Sequence, residues 1–131
     1  MSNRIYETDK NLTAAEAVIM KVVWSTSEDI AVQGLMQILR TQYQKDYVRT
    51  TIATFLSKLA EKGFVQTYRE GRISYVHALR TEDEYRKKLL REEADFWFQG
   101  DVFQVITALY GKENLQGKEE KLRRLLDDFD H

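Results

Sequence analysis

Apolar side chains in the stretch from Arg49 to Phe64, RTTIATFLSKLAEKGF, recur at Ile52, Phe55, Leu56 and Leu59. That i, i+3, i+4, i+7 spacing lines one face of an α-helix, and Gly63 is placed to supply the left-handed cap that closes it. The opposite face carries Arg49, Thr50, Ala53, Thr54, Ser57, Lys58 and Glu61, mostly short side chains with positive ends. Upstream, Thr13-Ala14-Ala15-Glu16 is a capping box that opens a helix, continued by Ala15, Val18, Ile19, Val22 and Val23 and ending on Trp24. A stop at Ser25 to Asp29 precedes a second helix expected over Gln33 to Tyr43, built on Leu35, Met36, Ile38 and Leu39. After Gly63 the period shortens from 3.6 to 2. Phe64 to Arg69 and Ile73 to Leu79 alternate β-branched and aromatic residues with polar ones around Glu70-Gly71-Arg72, which predicts a β-hairpin with glycine at its tip.

Three helices followed by a hairpin whose end carries Arg69 and Arg72 is the order of a winged helix-turn-helix domain, in which the third helix enters a DNA major groove and the wing straddles backbone or minor groove. The remaining chain reads as helical. A second capping box, Thr81 to Glu84, opens a long polar connector with Tyr85, Leu89 and Phe96 as a sparse stripe; Val102 to Tyr110 is a short helix ended by Gly111; Lys118 to Phe129 places Leu122, Leu125, Leu126 and Phe129 on one face. The helix from Val102 to Tyr110 is apolar nearly all round, so it needs cover on every side. The tail's own apolar surface covers one side only, and a second copy related by two-fold symmetry is the expected cover for the rest. The fold class expected is mainly α with a small β-hairpin: a winged-helix DNA-binding domain over residues 1–80 and a helical dimerisation segment over residues 81–131. Phe96, Trp97, Val102, Val105, Ile106, Leu109, Leu122, Leu125 and Leu126 are the expected dimer contacts.

Charge separates the same two regions. Residues 1–80 hold 11 basic and 8 acidic residues, and residues 81–131 hold 9 and 13, behind a net charge of only -1. Between Arg40 and Arg80 there are eight basic residues against three acidic ones, a local patch that points to a polyanion rather than to general stickiness. The absence of cysteine removes disulfides, thiolate metal sites and nucleophilic thiols. No apolar run approaches the roughly 20 residues of a membrane helix, and a soluble cytoplasmic protein is expected. The two histidines, His77 and His131, are too few for a metal site or a triad. The acidic run Glu92, Glu93, Asp95 reads as a hydrated helix face. Neither catalysis nor a metal or other cofactor is expected.

Leu12-Thr13-Ala14-Ala15-Glu16 with Met20 and Trp24, Thr51-Ile52-Ala53-Thr54 with Leu56, Lys58-Leu59, Lys62-Gly63, and the wing signature Glu70-Gly71-Arg72 resemble the penicillinase repressor family. That family includes the methicillin-resistance and copper-responsive repressors, and the similarity runs over about residues 12 to 126. The resemblance implies a homodimeric repressor that binds a palindromic double-stranded operator and leaves it on an inducing signal. Thr51 and Thr54 match the family's two recognition-helix threonines and Arg72 its wing arginine. The family's usual arginine in the reading helix is Lys58 here, which keeps the charge but loses the bidentate fork. The expected DNA contacts are therefore Arg49, Thr50, Thr51, Thr54, Ser57, Lys58, Arg69 and Arg72.

The copper-sensing branch carries C-terminal cysteines that this chain lacks. The β-lactam-responsive branch is switched by proteolysis at an Asn-Phe bond whose place is taken here by Ala108-Leu109, so either the cleavage site has moved, with a sensor or protease as the inactivating partner, or the inducing mechanism differs. The competing reading is a winged-helix protein-interaction module with no DNA role.

Overall fold

A computed structural model describes residues 11–111, 113, 114 and 117–129. The elements in chain order are α1 (Ala14–Trp24), β1 (Ile30–Ala31), α2 (Val32–Tyr43), α3 (Arg49–Glu61), β2 (Val65–Glu70), β3 (Ile73–Ala78), α4 (Glu82–Phe98), α5 (Val102–Tyr110) and α6 (Glu119–Phe129). The chain divides into two compact units between Arg86 and Lys87, inside α4.

Helix α1 begins where its capping box says it should. Thr13 Oγ1 accepts the Glu16 backbone N–H at 3.2 Å and Glu16 Oε1 accepts that of Thr13 at 2.9 Å, satisfying two otherwise orphaned donors at once. The apolar faces then meet in one core: Ile19 and Met20 of α1, Leu35 and Leu39 of α2, and Ile52 and Leu59 of α3 are fully buried, with Phe64 and Val76 beneath them from the wing. Trp24 packs against Phe64 and Tyr85, with ring centroids 6.5 and 5.9 Å away, and its indole N–H donates to the Arg80 carbonyl at 2.8 Å.

The sheet differs from the expected hairpin by one strand. β1 lies on the far side of β3, giving the antiparallel order β1-β3-β2, with Ile30 opposite Val76 and Ala31 opposite Tyr75. Two residues are too short to show a period, so the alternation that reveals β2 and β3 has nothing to register here. Glu70 also belongs to β2, paired with Ile73, which leaves Gly71 and Arg72 as the turn. Gly71 has φ +65° with open space around it, so a side chain there is excluded by backbone conformation rather than by room.

The second unit has its own local order. Asp101 caps α5 by accepting the N–H groups of Phe103 and Gln104 at 3.0 and 3.4 Å. The Arg123 guanidinium lies 4.0 Å over the Phe103 ring, joining α6 to α5, and Phe96 meets Trp97 edge to face at 4.8 Å. Among the described residues this unit buries no apolar side chain. The reading of Glu92 as part of a hydrated face is corrected: it is only 6 % exposed, with Lys88 one turn earlier donating to its carboxylate at 2.8 Å. The i, i+4 spacing of that pair on a helix surface explains how a carboxylate is carried inward with a partner.

Candidate nucleic-acid interface

α3 is open where it starts and closed where it ends. Its N-cap, Val48, offers no side-chain hydrogen bond to the first-turn N–H groups. Those groups are the positive end of the helix dipole and stay available to an anion. At the other end Gly63, with φ +82°, turns the chain from the helix into β2. Ile52, Leu56 and Leu59 face the core, while Phe55 is half-buried against Tyr47 at 5.3 Å. Of the expected contacts on the outer face, Arg49, Thr50, Thr54, Ser57 and Lys58 are exposed and Thr51 is half-buried. The Thr54 hydroxyl donates to the Thr50 carbonyl one turn back at 3.1 Å, so its proton is in use within the helix while the side chain stays exposed.

Between α3 and the wing runs a groove of about 700 Å³. Arg49, Ser57, Arg69 and Arg72 line it, over a floor of Ile52 and Leu56. Thr50, Thr51, Thr54 and Lys58 lie outside its lining. Arg49, Arg69 and Arg72 form no ion pair with any described residue. Two other members of the basic block do structural work instead: Lys62 pairs with buried Glu16 at 2.6 Å, and Arg80 lies 4.5 Å over the Phe64 ring. The block is thus less cationic at the surface than its composition suggests, and of the six cations that remain, Arg49, Arg69 and Arg72 meet at the groove.

A cluster that the sequence did not single out holds the wing. Asp29, in the turn before β1, accepts the Tyr68 hydroxyl from β2 at 2.6 Å and meets His77 Nδ1 of β3 at 2.8 Å. The Tyr68 and His77 bonds hold the Asp29 carboxyl below its usual range, and the hydrogen bond to Asp29 pushes the Tyr68 phenol up to about 12. Tyr68 also stacks on Tyr75 across the ladder at 5.4 Å. Period-2 alternation puts Tyr68 and His77 on one sheet face, but nothing local marks Asp29, some forty residues earlier, as their partner.

In the second unit, Phe96, Trp97, Val102, Leu109 and Leu125 are exposed, and Val105, Ile106, Leu122 and Leu126 are half-buried. The side chain of Phe129 and all of His131 lie outside the described residues. No described helix is long and apolar enough to cross a membrane, and no described group of His, Asp and Glu is placed to hold a metal ion.

Three helices, a wing and a cationic groove shared by the third helix and the wing define a winged-helix protein carrying a helical C-terminal segment. The chain belongs to the penicillinase repressor family, whose sequence pattern matches residues 12–128. It is similar to the methicillin resistance regulatory protein MecI of Staphylococcus aureus (strain N315), at 27% identity over 128 residues covering 97% of this chain and 98% of that one. It is also similar to a penicillinase repressor of Staphylococcus aureus, at 25% identity over 119 residues covering 90% and 92%. An uncharacterized 16.5 kDa protein of Latilactobacillus sakei matches at 33% identity over 66 residues, half of this chain and 43% of that one.

Proposed function

We propose that this repressor binds a palindromic operator as a homodimer, reading sequence through α3 and gripping backbone with the wing, and that an inducing signal releases it. The observation that carries the reading is the convergence of Arg49, Arg69 and Arg72 on one groove beside the open end of α3. Unpaired guanidiniums of one sign, held together on a rigid scaffold, match a phosphate backbone. Thr50, Thr51, Thr54, Ser57 and Lys58 are the side chains that meet base edges or neighbouring phosphates. Residues 81–131 supply the dimer contacts, through α5 and the apolar positions flanking it. No catalytic step and no cofactor belong to this function.

DNA binding should weaken steeply with salt through counterion release, whereas a protein-interaction module has no such requirement. Arg72→Ala is expected to weaken binding to every duplex and to reduce the slope of log K against log salt by about one. An unchanged slope in a fluorescence-anisotropy titration removes Arg72 from the interface. A parent chain that retains no duplex at low salt overturns the DNA reading as a whole and leaves the protein-interaction alternative standing.

A further inference from the structure

The buried face of α3 fixes how deeply the helix sits, because hydrophobic contact rewards burial without regard to direction. Holding its axis at one pitch requires directional contacts, and these gather at the C-terminal end. Lys62, the C-cap, donates from Nζ to Glu16 Oε1 at 2.6 Å and to the Asn11 carbonyl at 3.0 Å. The same Glu16 oxygen accepts the Thr13 N–H, and Glu16 is only 2 % exposed. Arg80, just past β3, donates to the Lys62 carbonyl at 3.2 Å and is itself held by Trp24 through its own carbonyl. The helix is therefore clamped between the capping box of α1 and the end of the wing, while its first turn has no side-chain cap. A small tilt about the clamped end becomes a displacement of Arg49 and Thr50, at the far end of a 13-residue helix, and a smaller one of Thr54 near its middle.

We propose that the Glu16–Lys62 pair is a positioning device for DNA recognition: it sets the pitch of α3, and through it the discrimination between duplex sequences, without touching DNA. The inference rests on α3 being the reading helix. A buried ion pair adds little net stability once desolvation is counted; what it fixes is geometry, so its loss should appear in specificity beyond any change in melting temperature.

Glu16→Gln tests this, because glutamine retains an oxygen for the Thr13 N–H and so keeps the capping box. It also removes a negative charge from the DNA-binding unit, and electrostatics alone then predicts tighter binding to every duplex. Positioning predicts the opposite for specific DNA. Affinity for the duplex that the parent chain enriches from a random pool, relative to an unrelated duplex of equal length, is expected to fall by about tenfold, the scale of one displaced base contact. Lys62→Met should lower the same ratio although it changes the charge in the other direction, and Lys62→Arg should restore most of it. Circular dichroism establishes that each variant is folded; if one is not, the other decides. Equal discrimination by the parent and the folded variants overturns the inference alone, as does uniform tightening of Glu16→Gln on both duplexes. A parent that enriches no duplex overturns it together with the reading on which it rests.

Discussion

The two units spend their apolar residues in opposite ways. In the first, Ile19, Leu35, Ile52, Leu59 and Phe64 are sealed in a shared core. In the second, Leu109 is 75 % exposed and Trp97 65 %, and α5, the most uniformly apolar helix of the chain, has no buried residue. The secondary structure of both is equally regular, down to side-chain caps at Thr13 and Asp101. Local sequence signals therefore suffice to form helices but not to complete a core, which depends on how many apolar faces are brought together. The first unit has three helices and a sheet for that purpose. The second leaves apolar faces exposed, the surface that the proposed dimer would cover.

Introducing a charge into α5 tests this contrast most severely. Ile106→Glu is expected to reduce the protein to monomer in sedimentation while the first unit keeps its folded signature, and to lower operator affinity by roughly 10² to 10⁴, the avidity contributed by tethering two heads. A monomer that binds the full palindrome as tightly as the parent would locate the affinity elsewhere. Next in size is a matched pair of truncations. Leu59→Ala should destabilise the first unit by about 2–5 kcal/mol by leaving a cavity, whereas Leu109→Ala should leave that unit's unfolding transition within about 0.5 kcal/mol and shift only the concentration dependence of association. Equal losses in that transition erase the contrast.

The smallest effect is that of acid. Burial alone raises the Glu16 pKa, but the Lys62 hydrogen bond, the Thr13 backbone N–H and the Lys62 charge outweigh it and hold the carboxyl below its ordinary 4.5. A carboxylate with a lowered folded pKa stabilises the fold fully above the unfolded value and ceases to do so as pH falls through the folded one. Unfolding of the first unit should thus become easier below about pH 4.5, and the dependence should flatten in Glu16→Gln, leaving the contribution of Asp29, whose carboxyl is also lowered. An identical acid profile in the variant assigns the effect to other carboxylates.

Elements that repeat were legible in the sequence. The period of 3.6 located α1, α2, α3 and α6, the period of 2 located β2 and β3, Gly111 closed the all-round apolar α5, and the two threonine-glutamate boxes marked the starts of α1 and α4, which Glu16 and Glu84 both honour. What escaped was either too short to repeat, as β1 is, or joined residues distant in sequence. Neither the Asp29 link to Tyr68 and His77 nor the pairing of Lys62 with Glu16, 46 residues earlier, leaves a local trace. The same limit applied to the basic block. Composition counted Lys62 and Arg80 as surface charge, and only three-dimensional proximity distinguishes these structural cations from Arg49, Arg69 and Arg72.

The chain's two tryptophans fall one in each unit, and their surroundings are opposite. Trp24 packs in a three-ring cluster with Phe64 and Tyr85, with its indole N–H on a carbonyl; Trp97 is largely exposed, with its N–H on the Glu93 carboxylate at 2.8 Å. The protein thereby carries a built-in optical label for each half: a ring-packed indole whose emission should report whether the winged unit is folded, and an exposed one whose accessibility to quencher should report whether the helical segment is covered in solution.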